Sequence, residues 1–420
     1  MRAPDRMAFA AISLAILVPG CNGSGGGDAS PTGGALVSGA WQAVATVPGG
    51  PLRFRMTIAG EPDTPIVHLA NGNERVLISD VSVVGNRYVF RLPAFNSTID
   101  ATLEDSALVG TLTLVKRGGT EQVMPFRAVP AGPPALQMAG ANPIDITGRW
   151  KVSFVDDEGN TSEAIGEFVG NDHAVTGTFL TATGDYRYLA GEITGREFYL
   201  SCFDGAHAFL FTARVESDGS LAGDFWSGTR WHETWTAIRD SSAVLPDPGS
   251  LTLLSAGQEK FTFDFPDAHH RHVTNDDPRF TGKVLIVTLS GSWCPNCHDE
   301  AAFLASLYRN HHAAGLEAVG LMYEHYRDFE RAAVQVQYFA EKFGIEYPLL
   351  IAGYSDKGEA ARTLAALDRV VAFPTMIVID RRGAVRRIHT GFTGPGTGHH
   401  YDTFRREFTQ FIEGLLDEQI

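Results

Sequence analysis

The chain has 420 residues, which at about 150 residues per domain suggests roughly three domains. Hydrophobic residues make up 44% and charged residues 20%, which excludes a globally disordered chain. The formal charge of −15 excludes a broad nucleic-acid-binding surface, and 4 cysteines are too few for a disulfide-stapled scaffold.

Two arginines, Arg2 and Arg6, precede an apolar run over residues 7–18 that is too short to span a bilayer. Residues 1–20 therefore read as a secretory signal peptide. Leu17-Val18-Pro19-Gly20-Cys21 resembles a bacterial lipobox, which implies that Cys21 is the lipidated first residue of the mature chain. A Gly/Ser-rich tether follows over 21–36, flexible as an anchor's spacer must be. The protein is thus expected to be exported, with membrane contact through the lipid anchor, facing the periplasm or the cell exterior.

Pro- and Gly-rich stretches at 130–143 and 240–252 read as linkers. They divide the mature chain into three bodies, 37–129, 144–239 and 253–420. The first two echo each other. Val37-Ser38-Gly39-Ala40-Trp41 recurs as Ile146-Thr147-Gly148-Arg149-Trp150, and Leu108-Val109-Gly110 as Leu221-Ala222-Gly223. Both consist of short alternating runs between Gly, Asn and Asp turns, which predicts two tandem antiparallel β domains, barrel or sandwich. Cys202 lies in one such run and reads as a buried small hydrophobe.

The third body alternates strands and helices, the pattern of an α/β layer fold. Apolar strands are predicted at 283–289, 316–322, 347–351, 375–379 and 384–388. Helices are predicted from about 294, over 328–343, over 359–367 and over 401–416. Between the first strand and the first helix stands Trp293-Cys294-Pro295-Asn296-Cys297. A thiol at a helix N-terminus meets unpaired N–H groups that favour the thiolate, the attacking species in disulfide exchange. The spacing lets the first sulfur attack a substrate disulfide while the second resolves the mixed disulfide. A zinc half-site would need a second ligand pair, and the histidine clusters at 269–272, 311–312 and 399–400 do not match a complete set. They read as solvated loop residues, and no metal is expected. The glycine-rich stretch 390–398 lacks a P-loop lysine and reads as a loop.

Residues 255–420 resemble the thioredoxin superfamily, and within it the TlpA/ResA branch of membrane-tethered thiol-disulfide oxidoreductases. Phe263-Asp264-Phe265-Pro266-Asp267, Gly282-Lys283-Val284, the WCPNC motif with Glu300, and Phe373-Pro374-Thr375 carry the likeness. The resemblance implies a cis Pro374 facing Cys294, and a Phe373 backbone that pairs with bound substrate beside Trp293 and Pro295. Cys294 would be the nucleophile, Cys297 the resolving thiol, and their disulfide the only redox group, with no separate cofactor. Two departures stand out. Thr288 occupies the place of thioredoxin's buried acid, and Ala301 replaces the usual proline after the glutamate. Glu300 then either moves the proton of the resolving thiol or complements the helix dipole, and His298 lies close enough to shift that thiol's acidity.

The expected activity is reduction or exchange of protein disulfides. Electrons would come from a partner such as a membrane thiol-disulfide transporter, since no nucleotide-binding fingerprint is present. Two alternatives stand beside it. One is a thiol peroxidase, although peroxiredoxins carry a Thr where Gly291 precedes Cys294 by three residues. The other is a non-catalytic envelope lipoprotein whose β domains bind or assemble.

Overall fold

The computed structural model describes residues 36–78, 80–132 and 143–419. The signal segment, Cys21, the tether and most of the first linker lie outside the described residues.

The first body is a nine-stranded antiparallel meander. Its opening strand Gly39–Val47 pairs with both Gly50–Glu61 and the closing strand Thr120–Pro130. The two ends of the sheet order, Glu74–Ile78 and Asp80–Val84, are neighbours in the chain, so the sheet curls into a barrel-like shape. Alternation drives the curl. In Gly50–Glu61 the residues Leu52, Phe54, Met56 and Ile58 point inward while Arg53 and Arg55 point out. The second body closes fully, because Thr161–Asn171 at one end of its order also pairs with Ala174–Thr181 near the other. Closure removes the unpaired edges that would template aggregation. Phe154, Phe168, Phe179, Phe211 and Trp235 fill this barrel.

The repeat is structural as well as sequential. Trp41 and Trp150 are both 1% exposed. Each indole N–H donates to the carbonyl four residues earlier, Val37 at 2.9 Å and Ile146 at 3.0 Å. The glycines two residues before them, Gly39 and Gly148, share a φ of +130°. The copies differ at the closing strand, where Arg239 lies 4.4 Å over the Trp150 ring but Pro130 stands opposite Trp41.

The third body is a thioredoxin-like domain. Its sheet runs Leu349–Tyr354, Leu316–Glu324, Val284–Ser290, Thr375–Ile379, Val385–Thr390. The first three strands are parallel and the last two antiparallel. Val284–Ser290 is buried at every residue, as a strand covered on both faces must be. Helices α1 (Pro295–His311) and α4 (His399–Asp417) cover the face of Ile286 and Met376. Helix α3 (Lys357–Thr363) and Phe261 cover the face of Val287 and Leu321. Helix α2 (Phe329–Phe343) packs on Met322 and Ala301. Asp328 and Asp356 cap α2 and α3 by accepting from the amides of Arg331 and Glu359.

Two expectations are corrected. The helix predicted over 359–367 runs Lys357–Thr363 and stops at Leu364, where the backbone leaves helical geometry (φ −125°, ψ 65°). Beyond it the chain turns inward so that Leu367 bridges Leu254 and the carbonyl of Ala366 accepts from Ser255. The histidine pair His399-His400 is not in a loop; it forms the first turn of α4, with the His400 ring 3.0 Å from Glu167 of the second barrel.

Both barrels dock on the thioredoxin-like domain. The first does so through its hairpin at Lys116–Gly119, where Arg117 pairs with Asp356 at 3.0 Å and the Gly118 amide donates to the His325 carbonyl. The second inserts its loop at residues 183–188 between α1 and the glycine-rich stretch. There the Asp185 carboxylate accepts from the Gly394 amide at 2.7 Å, so that stretch is a docking platform for this loop. Gly184 has a φ of +150°, which other residues rarely adopt, and a Cβ there would push the Asn296 amide aside.

At the loop's end Arg187 adopts a left-handed backbone (φ +59°), an arrangement costing roughly 1–2 kcal/mol. Its guanidinium, 8% exposed, pairs with Glu74 of the first barrel, Asp204 of the second and Asp299 of α1. It also donates to the Pro295 carbonyl at 3.0 Å. Burial pushes the Glu74 and Asp299 carboxyls up and Arg187 pulls them back. Asp204 resists its own burial and is held low by His207 and Arg187.

Arg187→Met should cost about 3–5 kcal/mol, because three buried carboxylates lose their cation. Thermal unfolding should report the loss, and hydrogen exchange should rise at residues 183–188 and in the first turn of α1. Unchanged exchange at those amides would show that Arg187 does not hold the bodies together.

Candidate active site

Cys294 is the N-cap of α1 and Pro295 its first residue, where the missing N–H costs nothing. Cys294 is 7% exposed, and its Sγ lies 3.5 Å from the Phe373 carbonyl oxygen. Cys297 is fully buried one turn further in, and both thiols are free. The structure brings Cys294, Cys297 and Phe373 together, and the Phe373-Pro374 peptide is cis. Trp293 fixes the approach. Its Nε1 donates to the Tyr323 carbonyl at 2.9 Å, and its ring stacks on His325 at 4.5 Å and meets Phe373 edge-on at 6.1 Å.

Behind the thiols lies a buried acid. Glu300 is 1% exposed, so it does not face solvent to complement the helix dipole. Its Oε2 accepts from the Thr288 hydroxyl at 2.6 Å, and its Oε1 has no partner among the described residues. Thr288 therefore supports an acid that arrives from the helix instead of supplying one. Burial pushes the Glu300 carboxyl up to about 8, with the Thr288 bond pulling it back. Burial also raises Cys297 well above the usual thiol range, helped by Cys294 and by Glu300. His298 does not face this thiol. Its Nε2 donates to the Ser292 carbonyl (2.5 Å), its Nδ1 accepts from Lys342 (3.0 Å), and the ring stacks on Phe95 of the first barrel. Burial, then Lys342, drives its pKa well down, so the imidazole is neutral.

Several participants were not visible in the sequence. Glu324 is 1% exposed and accepts from the amide and hydroxyl of Ser292, at 2.9 and 2.7 Å, bracing the turn before Trp293. Burial raises it to about 7. A glutamate ending the apolar run 316–324 was the available signal. Arg187, Asp185 and Lys116 come from the barrels, and no local pattern links them to WCPNC. Cys202 sits in the second barrel's core, away from the redox pair. Glu167, His399 and His400 place ligand atoms within 4.8 Å of one another, but Arg149 already pairs with Glu167.

Sheet order, helix placement and the cysteine pair at the N-terminus of α1 make this a thioredoxin-like domain, and its relatives are TlpA/ResA-like. Residues 256–388 match the AhpC/TSA family. Thiol-disulfide oxidoreductase ResA of Geobacillus kaustophilus is 29% identical over 29% of this chain and 61% of its own length. ResA of Halalkalibacterium halodurans is 25% identical over 33% of this chain and 71% of its own. The chain thus spans about three-fifths of the first of these relatives. A solved structure, a putative thiol:disulfide interchange protein DsbE from Chlorobium tepidum, is 21% identical with a TM-score of 0.30, covering 39% of this chain and 99% of that one.

A carboxyl held neutral by burial supports the fold below about pH 4.5, and that support is lost as pH rises through about 8. Glu300 therefore makes stability fall across that window, by at most about 1.4 kcal/mol per pH unit. Glu300→Gln should flatten this fall in urea titrations run at successive pH values. An unaltered slope would mean that Glu300 is ionised in the folded state.

Proposed function

We propose that the protein is an exported thiol-disulfide oxidoreductase that reduces or exchanges protein disulfides. The observation that carries this is Cys294 capping α1 beside the Phe373 carbonyl, with Cys297 buried one turn behind it. The Cys294 thiolate attacks one sulfur of a substrate disulfide, forming a mixed disulfide and releasing the other sulfur as a thiol. The ionised fraction of Glu300, whose carboxyl titrates at about 8, takes the proton of Cys297, and the Cys297 thiolate attacks the Cys294 sulfur. The substrate leaves as a dithiol reduced by two electrons, and the Cys294–Cys297 disulfide closes. A thiol-disulfide partner at the membrane returns the electrons, and no further cofactor is needed. Tethering through Cys21 keeps the enzyme on the envelope. No helix of the described residues is long and apolar enough to cross a membrane.

Peroxide reduction is not favoured. The position three residues before Cys294 is Gly291, and a Cβ there would overlap the Trp293 indole nitrogen and the Tyr323 carbonyl. The threonine that peroxidases place there has no room.

Cys294→Ser should abolish dithiol-dependent insulin reduction. Cys297→Ser should still attack but accumulate mixed disulfides, seen as a mass adduct with a thiol-bearing client. Full insulin reduction by Cys294→Ser would overturn the proposal.

A further inference from the structure

The redox face of the thioredoxin-like domain is walled by both barrels. A cleft of about 450 Å³ lies between them and Trp293 and Phe373, the chain neighbour and the hydrogen-bond partner of Cys294. Phe95, Leu114 and Val115 of the first barrel form its apolar side, and Gly205–His207 of the second barrel another. This volume falls in the range of ligand pockets and holds a short length of chain, not a folded surface.

The charges on the cleft do not cancel. Arg117 and Asp356 pair with each other, and His207 serves Asp204. His325 is driven down to about 3 by burial and by Lys116, and is neutral. Two cations remain. Lys116 donates to the Ala206 carbonyl at 2.7 Å but has no carboxylate partner among the described residues. Lys357 is exposed on the rim with no ion pair among the described residues; partial burial lowers its pKa, and the nearby Cys294 sulfur offsets part of that. Both lysines line the cleft that adjoins Trp293 and Phe373.

The geometry points to a client that enters as an extended peptide segment with an acidic residue beside its target cysteine, held by Lys116 and Lys357 in the cleft. This rests on the oxidoreductase reading and adds the substrate class. The peptide's apolar side chains lie against Phe95 and Trp293, while its carboxylate meets the two ammonium groups. The barrels then act as selectors that exclude bulky folded disulfides and repel basic flanks.

The test uses the full chain and two disulfide-linked peptides identical except for Glu or Lys flanking each cysteine, with insulin as a general substrate. The Glu peptide should be reduced about tenfold faster in kcat/KM at low salt, with the gap closing as salt screens the lysines. Lys357→Glu, on the exposed rim, should reverse the preference; Lys116→Gln should weaken it. Equal rates for the two peptides, or a preference that survives Lys357→Glu, would overturn the inference while leaving the oxidoreductase reading intact. Insulin reduction with neither peptide turned over would also overturn it. Failure to reduce insulin as well would remove the oxidoreductase reading itself.

Discussion

A single guanidinium holds the molecule's geometry. Arg187 reaches from the second barrel to a carboxylate on each of the three bodies and to the carbonyl of Pro295, immediately after Cys294. A buried charge this well surrounded tolerates little displacement, because each partner it releases becomes an uncompensated carboxylate at low dielectric. The first turn of α1 therefore cannot shift without disturbing both barrels. The position of Cys294 against Phe373, the depth of Cys297 and the width of the adjoining cleft all follow from where that turn is held.

The site joins a buried cluster built around one cation to buried acids that have none. Around Arg187 each carboxyl is paired with the guanidinium. Behind the thiols, Glu300 and Glu324 sit without cations, their pKa values raised by burial, each steadied by one hydroxyl-bearing residue. Titrating at about 8, Glu300 can exchange a proton near neutral pH behind the thiols.

Legibility in the sequence tracked the range of the interaction involved. The strand Val284–Ser290 is apolar throughout and the CxxC follows it directly, so local pattern located both the domain and its thiols. The Trp41 and Trp150 echo was equally plain, because each indole bonds within its own segment. Helix α3 was misjudged because its end is set by a bridge to Leu254, over a hundred residues away. Arg187, Lys116 and Asp185 were invisible for the same reason. Each matters through a partner on another body, and nothing in the neighbouring residues marks them. The Glu300 side chain was left between two roles because only packing reveals that it turns inward.

Cys202 has a bearing on how such a machine stays reliable. It is fully buried among the aromatic side chains of the second barrel, and that burial raises its thiol well above the usual range. In a protein proposed to shuttle disulfides, any additional reactive sulfur would offer electrons a side route and leave dead-end linkages behind. Among the described residues Cys202 is the one thiol outside the redox pair, and the barrel wall insulates it. Traffic of sulfur bonds is thereby confined to a single pair, however often the cycle turns.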